Sequence, residues 1–167
     1  MDDAETPEAP HPAGRTPHRY HPSVLAVVMA GGLLGTLARY GLSLAWPTGA
    51  GHFPLATFIV NTTGAFVLAL LLTVLAQHPR PGHHLRPFAA TGVLGGWTTY
   101  SALAVEGVTL AKDGHLAVAG GYLGATVAAG AVAVTLGMVA GRVGTTRAAR
   151  AAAGRGPIAP DTPEPPS

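Results

Sequence analysis

The sequence predicts an all-α membrane protein with four transmembrane helices, on three observations. Only 11% of the 167 residues are charged, 48% are hydrophobic, and four long stretches are nearly free of charge. Crossing the ~30 Å hydrocarbon layer of a bilayer takes a helix of ~20 apolar residues, and each stretch is long enough. A soluble bundle would need a polar face at helical period in most segments, and none of the four shows one.

The predicted spans are Ser23–Trp46, Phe53–Gln77, Pro87–Ala111 and His115–Gly141. Five of the 15 prolines lie at the edges of these spans or between them, where the loss of a backbone donor is harmless. The other ten lie in residues 1–22 and 142–167, which are rich in Ala, Glu, Asp and Arg. These two segments are therefore predicted to be disordered tails of a single membrane domain, residues 23–141.

Basic residues next to the spans predict the orientation of the chain in the membrane. With four spans, both tails and the middle loop lie on one side, which carries eight arginines against Lys112 alone on the other. By the positive-inside rule that side is the cytoplasm, so we expect a multi-pass plasma membrane protein with both termini cytoplasmic. These arginines form no basic face with interleaved aromatic residues, so nucleic acid is not a predicted partner. The eight are Arg15, Arg19, Arg80, Arg86, Arg142, Arg147, Arg150 and Arg155.

Two formally charged residues, Arg39 and Glu106, lie inside predicted spans. A charge near the bilayer centre costs at least ~2.5 kcal/mol, so such residues usually face protein or water. Arg39 lies near the end of its span and has two interpretations, snorkelling to the interface or burial against a partner. Glu106 lies farther from the end of its span, which favours a protein or water partner.

The third span contains a cluster of residues that form helices poorly, from Gly92 to Ser101. Its three glycines and two threonines predict a break in the helix within the membrane. Broken backbone at membrane depth is tolerated only where it packs in protein or lines a cavity, and its freed carbonyls can then coordinate a cation. A surface for close helix packing is the alternative, but it explains only the glycines and not the polar Thr98–Ser101 stretch.

Elsewhere glycines recur four residues apart, a spacing that places small residues on one helix face. This pattern predicts close contacts between helices, including a subunit interface. The pairs are Gly31 with Gly35, Gly120 with Gly124, and Gly137 with Gly141.

Polar side chains also recur at helical spacing. Thr57 and Asn61 lie four residues apart in the second span, and Tyr122 and Thr126 do so in the fourth, so each pair occupies one helix face. All four can donate hydrogen bonds, and a track of donors without lysine or arginine could replace the water around a small anion without trapping it. Interhelical hydrogen bonds that only stabilise packing, worth ~0.6 kcal/mol each, are an equal alternative.

Three stretches together resemble the signature sequences of the CrcB/Fluc family of fluoride channels. They run from Gly31 to Tyr40, from Pro54 to Phe66, and from Gly92 to Ser101 with Glu106 after it, and they cover the whole predicted membrane core. The resemblance implies a fluoride-selective channel for passive fluoride export, and not an enzyme. It also implies a four-helix subunit whose third helix is broken mid-membrane and which works as an antiparallel dimer, of dual-topology type, with two pores.

The resemblance further implies roles for individual residues. The backbone carbonyls of Gly95 and Thr98 match those that hold a structural sodium ion, Na+, which is not transported. Arg39 and Glu106 match the charged residues of the family in the first helix and after the break. The residues that match the lining of the ion pore are Thr57, Asn61, Tyr100, Ser101, Tyr122 and Thr126.

The chain also departs from the family pattern. Where the family usually reads Thr-Thr-Phe-Ser-Thr-Phe, Tyr100, Ala102 and Leu103 replace the first phenylalanine, the last threonine and the second phenylalanine. Tyr100 keeps a ring edge that could face fluoride, but Leu103 has none, so one of the two pores could be degenerate. The strong arginine bias also disfavours insertion in both orientations. These departures suggest a heterodimer with a paralogous subunit of opposite orientation, as an alternative to the homodimer.

Two other functions compete with that of a conducting channel. A small proton-coupled multidrug exporter also uses four short helices in an antiparallel dimer, but it needs a carboxylate in the first span, where this chain has Arg39. A non-conducting subunit that only stabilises a partner is the other, and Ala102 and Leu103 motivate it. A pump is disfavoured because the sequence has no nucleotide-binding glycine loop and no chain of membrane carboxylates.

Overall fold

The computed structural model describes residues 21–77, 82 and 84–153, and all regular elements in these ranges are helical. In chain order they are α1 (Pro22–Ala45), α2 (Leu55–Ala76), a π-helical segment (Pro87–Leu94), α3 (Gly95–Trp97), α4 (Tyr100–Lys112) and α5 (Leu116–Ala153). Residues 1–20 and 154–167 of the predicted tails lie outside the described residues. The all-helical architecture of the described part is the one that the sequence predicts.

Three helices in the described part of the chain are long and apolar enough to cross a membrane, namely α1, α2 and the Leu116–Arg147 portion of α5. They agree with the first, second and fourth predicted spans. The third predicted span coincides with the π-helical segment, α3 and α4, none of which is long enough alone. That these three short elements together form a fourth span stays a prediction.

Two extended residues, Thr98 and Thr99, separate α3 from α4, and we refer to them as the helix break. Thr98 has φ −81° and ψ 155°, and Thr99 has φ −149° and ψ 120°. Thr99 caps α4, since its hydroxyl oxygen accepts a hydrogen bond from the Ala102 N–H at 3.2 Å. The interruption falls inside the predicted Gly92–Ser101 stretch, and its depth in a membrane stays a prediction.

Helix α1 packs against the π-helical segment backbone to backbone. A Cβ added at Gly31 would lie 2.5 Å from the Phe88 carbonyl oxygen, and one added at Gly35 would overlap the Val93 carbonyl. Only glycine allows this approach, because no side chain then separates the two backbones. The close helix contact predicted for Gly31 and Gly35 is confirmed, and it brings the polypeptide that leads into the break against α1.

Helix α2 packs along α5 as a second helix pair. Gly137 lies against the α2 backbone, and a Cβ added at Gly141 would lie 2.8 Å from Thr73 Cβ. A Cβ added at Gly120 or Gly124 would meet nothing within 4 Å in the described chain. Among the described residues Gly120 and Gly124 thus make no such close contact, and a contact with another subunit stays a prediction.

Helix α5 has 38 residues and continues past Gly141, where the sequence predicts a disordered tail to begin. The residues after Gly141 are rich in alanine and arginine, which favour a helix, and the next proline is Pro157. The extension is also tied to α2, because the Thr145 hydroxyl donates to Gln77 Oε1 at 2.5 Å. The predicted boundary at Gly141 therefore differs from the observed end of the helix at Ala153.

Candidate functional site

The carboxylate of Glu106 is the meeting point of three helices. The Thr57 hydroxyl on α2 donates to Glu106 Oε1 at 2.8 Å, and the Tyr122 hydroxyl on α5 donates to Oε2 at 2.6 Å. Tyr122 is fully buried, Thr57 is nearly so, and Glu106 on α4 is partly buried. The protein partner predicted for Glu106 is confirmed, and it consists of two hydroxyl groups.

Aromatic packing holds the Tyr122 ring so that its hydroxyl points at Glu106. The Tyr122 ring meets Phe53 edge to face, with ring centroids 5.3 Å apart and planes at 83°. Phe53 in turn packs against Phe58 at 5.4 Å and 70°. Edge-to-face pairs hold a ring plane in place beyond what simple burial does. The segment around the start of α2 therefore supplies both the Thr57 hydroxyl and the packing that orients its counterpart.

Two cavities adjoin Glu106, which lines both. The loop cavity, of about 310 Å³, lies between the α1–α2 connection and the end of α4, and Thr109 and Asp113 also line it. The break cavity, of about 100 Å³, is lined by residues of α1, α2 and α4 and by Thr99. Because a water molecule occupies ~30 Å³ in the liquid, each cavity can admit water or a small ion. Glu106, whose carboxylate accepts from the two hydroxyls, is thus common to the linings of both cavities.

Arg39 is held inside the protein by the backbone near the break. Its Nε donates to the Gly96 carbonyl oxygen at 3.1 Å, and the side chain is partly buried. Of the two interpretations of Arg39, burial against a partner therefore agrees with the structure. Arg39 also lines the break cavity together with Glu106. A fixed positive charge in a poorly solvated cavity attracts anions more strongly than it would in water.

Asn61 lies beside the break, away from the hydroxyl pair on Glu106. Its Nδ2 donates to the Thr99 carbonyl oxygen at 2.9 Å, and its Oδ1 accepts from the Thr99 N–H at 2.8 Å. Two residues further along α2, the Thr63 hydroxyl oxygen accepts from Trp97 Nε1 at 3.0 Å. Side chains of α2 therefore hold the chain on both sides of Thr98.

The remaining predicted pore residues do not join the Glu106 cluster within one chain. Thr126 is buried one turn beyond Tyr122, and its hydroxyl donates to the Tyr122 carbonyl oxygen at 2.7 Å. Tyr100 is 83% exposed, and Ser101 is exposed with its hydroxyl 3.2 Å from that of Thr99. The six predicted pore residues are thus divided, since Thr57 and Tyr122 meet at one carboxylate while Tyr100 and Ser101 are exposed.

Two residues that shape the break, Thr63 and Thr99, are not among the site residues predicted from the sequence. Thr99 carries a signal that could have identified it, because threonine is a favoured cap directly before a helix. Thr63 carries none, since its partner, the Trp97 indole, lies 34 residues away along the chain. Contacts of this range depend on how the helices pack, which spacing within one helix cannot give.

The backbone carbonyls that the break releases include those of Gly95 and Thr98. In a continuous helix they would accept hydrogen bonds from the N–H groups four residues on, those of Thr99 and Ala102. These N–H groups instead donate to Asn61 Oδ1 and Thr99 Oγ1. Carbonyl oxygens of unwound helix are suitable ligands for Na+. The two residues predicted to hold sodium thus have chemistry that fits it, and occupancy stays a prediction.

Comparison with known proteins places the described helices within one family. The family described as CrcB-like protein, Camphor Resistance (CrcB), matches residues 26–138. The chain is 45% identical over 138 residues to fluoride-specific ion channel FluC 3 of Streptomyces avermitilis, covering 83% of this chain and 68% of the relative. It is 43% identical over 129 residues to FluC 2 of Nocardia farcinica, covering 77% and 92% of the two chains. FluC 1 of Streptomyces coelicolor is 46% identical over 129 residues, covering 77% and 83%.

Proposed function

The chain belongs to the CrcB family, and from this premise we propose that it is a passive, fluoride-selective channel that lowers the fluoride concentration inside the cell. The observation that carries the proposal is the convergence of the Thr57 and Tyr122 hydroxyls on Glu106, inside the matched region. Several relatives with 43–46% identity bear the name fluoride-specific ion channel. Membership in a family of channels also means that the chain is not an enzyme.

Fluoride can replace the carboxylate as the acceptor of the two hydroxyl donors. It is a small, strongly hydrated anion, so a pathway has to offer donors that replace its water. In the resting arrangement those donors are occupied by Glu106, and each hydrogen bond to a charged acceptor is worth about 1.5–3 kcal/mol. A displaced Glu106 side chain leaves Thr57 and Tyr122 to fluoride, and its return releases the ion. Because the carboxylate competes with fluoride for the same two donors, its return opposes the formation of a deep trap, which conduction requires.

The two cavities supply approaches to this exchange point. Fluoride in the break cavity is attracted by Arg39, and the loop cavity reaches the same carboxylate from the α1–α2 connection. No energy-coupling machinery is required, because an inside-negative membrane potential contributes ~2.3 kcal/mol per charge per 100 mV towards anion export. The proton-coupled exporter is therefore not needed to explain the chain.

The fourth membrane span consists, in this proposal, of the π-helical segment, α3, the break and α4. Exposed hydroxyls of Tyr100 and Ser101 beside the break support a second subunit against this face, since polar groups are costly in lipid. An antiparallel dimer would bring the Gly95 and Thr98 carbonyls of two chains together around Na+. The bound ion would balance the partial negative charge of those oxygens, and Asn61 and Thr99 keep the oxygens available.

The partner can be a second copy or a paralogous chain of opposite orientation. The arginine bias supports the paralogue. A further support is that Streptomyces avermitilis has two relatives of this chain, FluC 3 at 45% identity and FluC 2 at 47% over 105 residues. One organism can therefore supply two homologous subunits. Leu103 packs against the cluster of Leu110, Ala119 and Tyr122, so in this chain it serves internal packing and offers no ring edge to an ion.

The packing of Leu103 inside the chain favours a second candidate function, a subunit that completes a heterodimer but conducts poorly alone. Complementation separates the possibilities. The chain is expressed, alone and with each FluC homologue that its own genome encodes beside it, in a bacterium that has lost its fluoride channel and is inhibited by fluoride. Growth restored by the chain alone supports the self-sufficient channel, and growth restored only by both chains supports the heterodimer. No rescue in either case, with both proteins present in the membrane, overturns the proposed function.

A further inference from the structure

The Asn61 side chain replaces a helical hydrogen-bond acceptor that the break removes. In a continuous helix the Thr99 N–H would donate to the Gly95 carbonyl. Because Thr98 and Thr99 are extended, Asn61 accepts from the Thr99 N–H at 2.8 Å and donates to its carbonyl at 2.9 Å. This two-sided pairing also defines the orientation of the amide, since the reverse orientation would set like groups against each other.

Asn61 is the centre of a continuous contact between α2 and the break. The Thr63 hydroxyl accepts from Trp97 Nε1, and a Cβ added at Gly64 would overlap the methyl group of Thr98. Three residues of α2 thus contact three consecutive residues, from Trp97 to Thr99. The contacts of a short stretch of α2 therefore hold the extended backbone between α3 and α4.

The contact with Asn61 has a direct consequence for the carbonyl of Gly95. Because Asn61 Oδ1 takes the Thr99 N–H, the Gly95 carbonyl loses its helical donor and is left available to another ligand. The oxygen of the Asn61 amide would repel a passing anion, and one of its two N–H groups is committed to the Thr99 carbonyl. Both polar ends of Asn61 are thus used on the protein backbone.

We propose that Asn61 is a positioning residue, which acts on ion passage by fixing the extended backbone of Thr99 and not as a ligand of the moving ion. The link to ion passage rests on the proposed function, whereas the claim about the backbone does not. Removing the amide should release the Thr99 peptide group and let this part of the chain leave its extended conformation.

The first test is amide hydrogen exchange at Thr99, measured by NMR on the full-length protein in lipid nanodiscs. For Asn61→Leu we expect exchange of the Thr99 amide to accelerate at least about tenfold, because its acceptor is gone. Thr57→Val is the matched control, since it removes a polar group one turn earlier on α2 and leaves Thr99 untouched. Unchanged exchange in Asn61→Leu, or equal acceleration in Thr57→Val, would overturn the proposal.

Asn61→Asp supplies a second variant in case Asn61→Leu does not fold. Aspartate keeps an oxygen that can accept from the Thr99 N–H, so exchange at Thr99 should stay within about threefold of the native rate. A tenfold acceleration in this variant would show that the Oδ1 contact does not protect Thr99, and the proposal would fail.

Fluoride efflux from liposomes, with Asn61→Leu and Thr57→Val, relates the Thr99 backbone to ion passage. A positioning residue predicts that Asn61→Leu loses efflux together with the faster exchange of the Thr99 amide. Loss of efflux in Asn61→Leu at the native rate of Thr99 exchange would instead assign Asn61 to ion binding and overturn the proposal. If native liposomes show no efflux at all, the proposed function fails while hydrogen exchange still decides the role of Asn61.

Discussion

Glu106 is the residue on which the account of ion passage depends. It accepts hydrogen bonds from Thr57 on one oxygen and from Tyr122 on the other, and so it links α2, α4 and α5. A carboxylate in a membrane-spanning protein is costly unless it has partners, and here neutral donors supply them. The groups that would bind fluoride at this point are thus two neutral hydroxyls, while the positive charge of Arg39 lines the adjoining break cavity.

We predict that Glu106→Gln destabilises the protein by about 1–2 kcal/mol, because hydrogen bonds to a charged acceptor are stronger than those to an amide. The amide Nε2 would also face a hydroxyl that now has to become its acceptor. Thermal unfolding in detergent measures the change. Asp113→Asn is the control, since Asp113 lines the loop cavity but belongs to no hydroxyl pair described here. Equal melting temperatures for native protein and Glu106→Gln would contradict this description of the site.

At the scale of single residues, the sequence identifies the side chains of the site more reliably than it identifies the groups that they contact. The cost of burying charge singles out Arg39 and Glu106, and a partner for Glu106 is confirmed. The choice between two interpretations of Arg39 depends on the Gly96 carbonyl, 57 residues away, and that contact follows from helix packing. Asn61 is expected on the same donor track as Thr57, yet the extended backbone beside it takes up both ends of its amide.

At the scale of single elements, the sequence predicts the break but not the form of the segment that precedes it. Glycines and threonines between Gly92 and Ser101 predict an interruption, and the structure has extended residues at Thr98 and Thr99. The π-helical segment that precedes it, Pro87–Leu94, carries no comparable signal. Its backbone lies directly against α1 at Gly31 and Gly35, so its form depends on a tertiary contact.

Gly35 provides a test of this backbone contact. We predict that Gly35→Ala costs at least about 2 kcal/mol or prevents folding, since the new Cβ would overlap the Val93 carbonyl and overpacking of this kind is not relieved by a rotamer change. Gly144→Ala is the matched control on α5, where a Cβ would meet nothing within 4 Å and alanine favours the helix. Thermal unfolding of both variants gives the comparison, and equal stability of the two would show that α1 does not pack as described.

Helix α5 shows a different limit at the same scale. Hydrophobicity predicts where its apolar part ends, near Gly141, but helical structure continues to Ala153. Alanine and arginine favour a helix in water as well as in lipid, so the end of a membrane span and the end of a helix need not coincide. Composition therefore locates the edge of the apolar segment more reliably than the edge of the ordered one.

At the scale of the whole molecule, one chain leaves much apolar and some polar surface uncovered. Large side chains along α1, among them Leu25, Met29, Leu33 and Leu44, are more than half exposed, as expected of a surface that faces lipid. Tyr100 is exposed beside the break, and a Cβ at Gly120 or Gly124 would meet open space. A second subunit, as proposed above, would cover one of these surfaces, and hydropathy along one chain does not contain the information that selects it.

The orientation of the chain is the second prediction at this scale. Because eight arginines flank one side and one lysine the other, we expect a single orientation with both termini in the cytoplasm. Reporter tags at either terminus, tested for access from outside intact cells, measure the fraction in each orientation. Substantial labelling of both termini from outside would indicate insertion in both orientations, and it would remove the main argument for a paralogous partner.

Fluoride efflux from liposomes tests the central claim most directly. The full chain is reconstituted alone and with any FluC homologue that its own genome encodes beside it, and fluoride and chloride release are recorded side by side for native protein and Thr57→Val. We predict selective fluoride release in at least one of the two preparations, lowered at least about tenfold by Thr57→Val because one of the two hydroxyl donors is lost. Absence of fluoride release from folded protein in both preparations, or chloride release at a similar rate, would contradict the account.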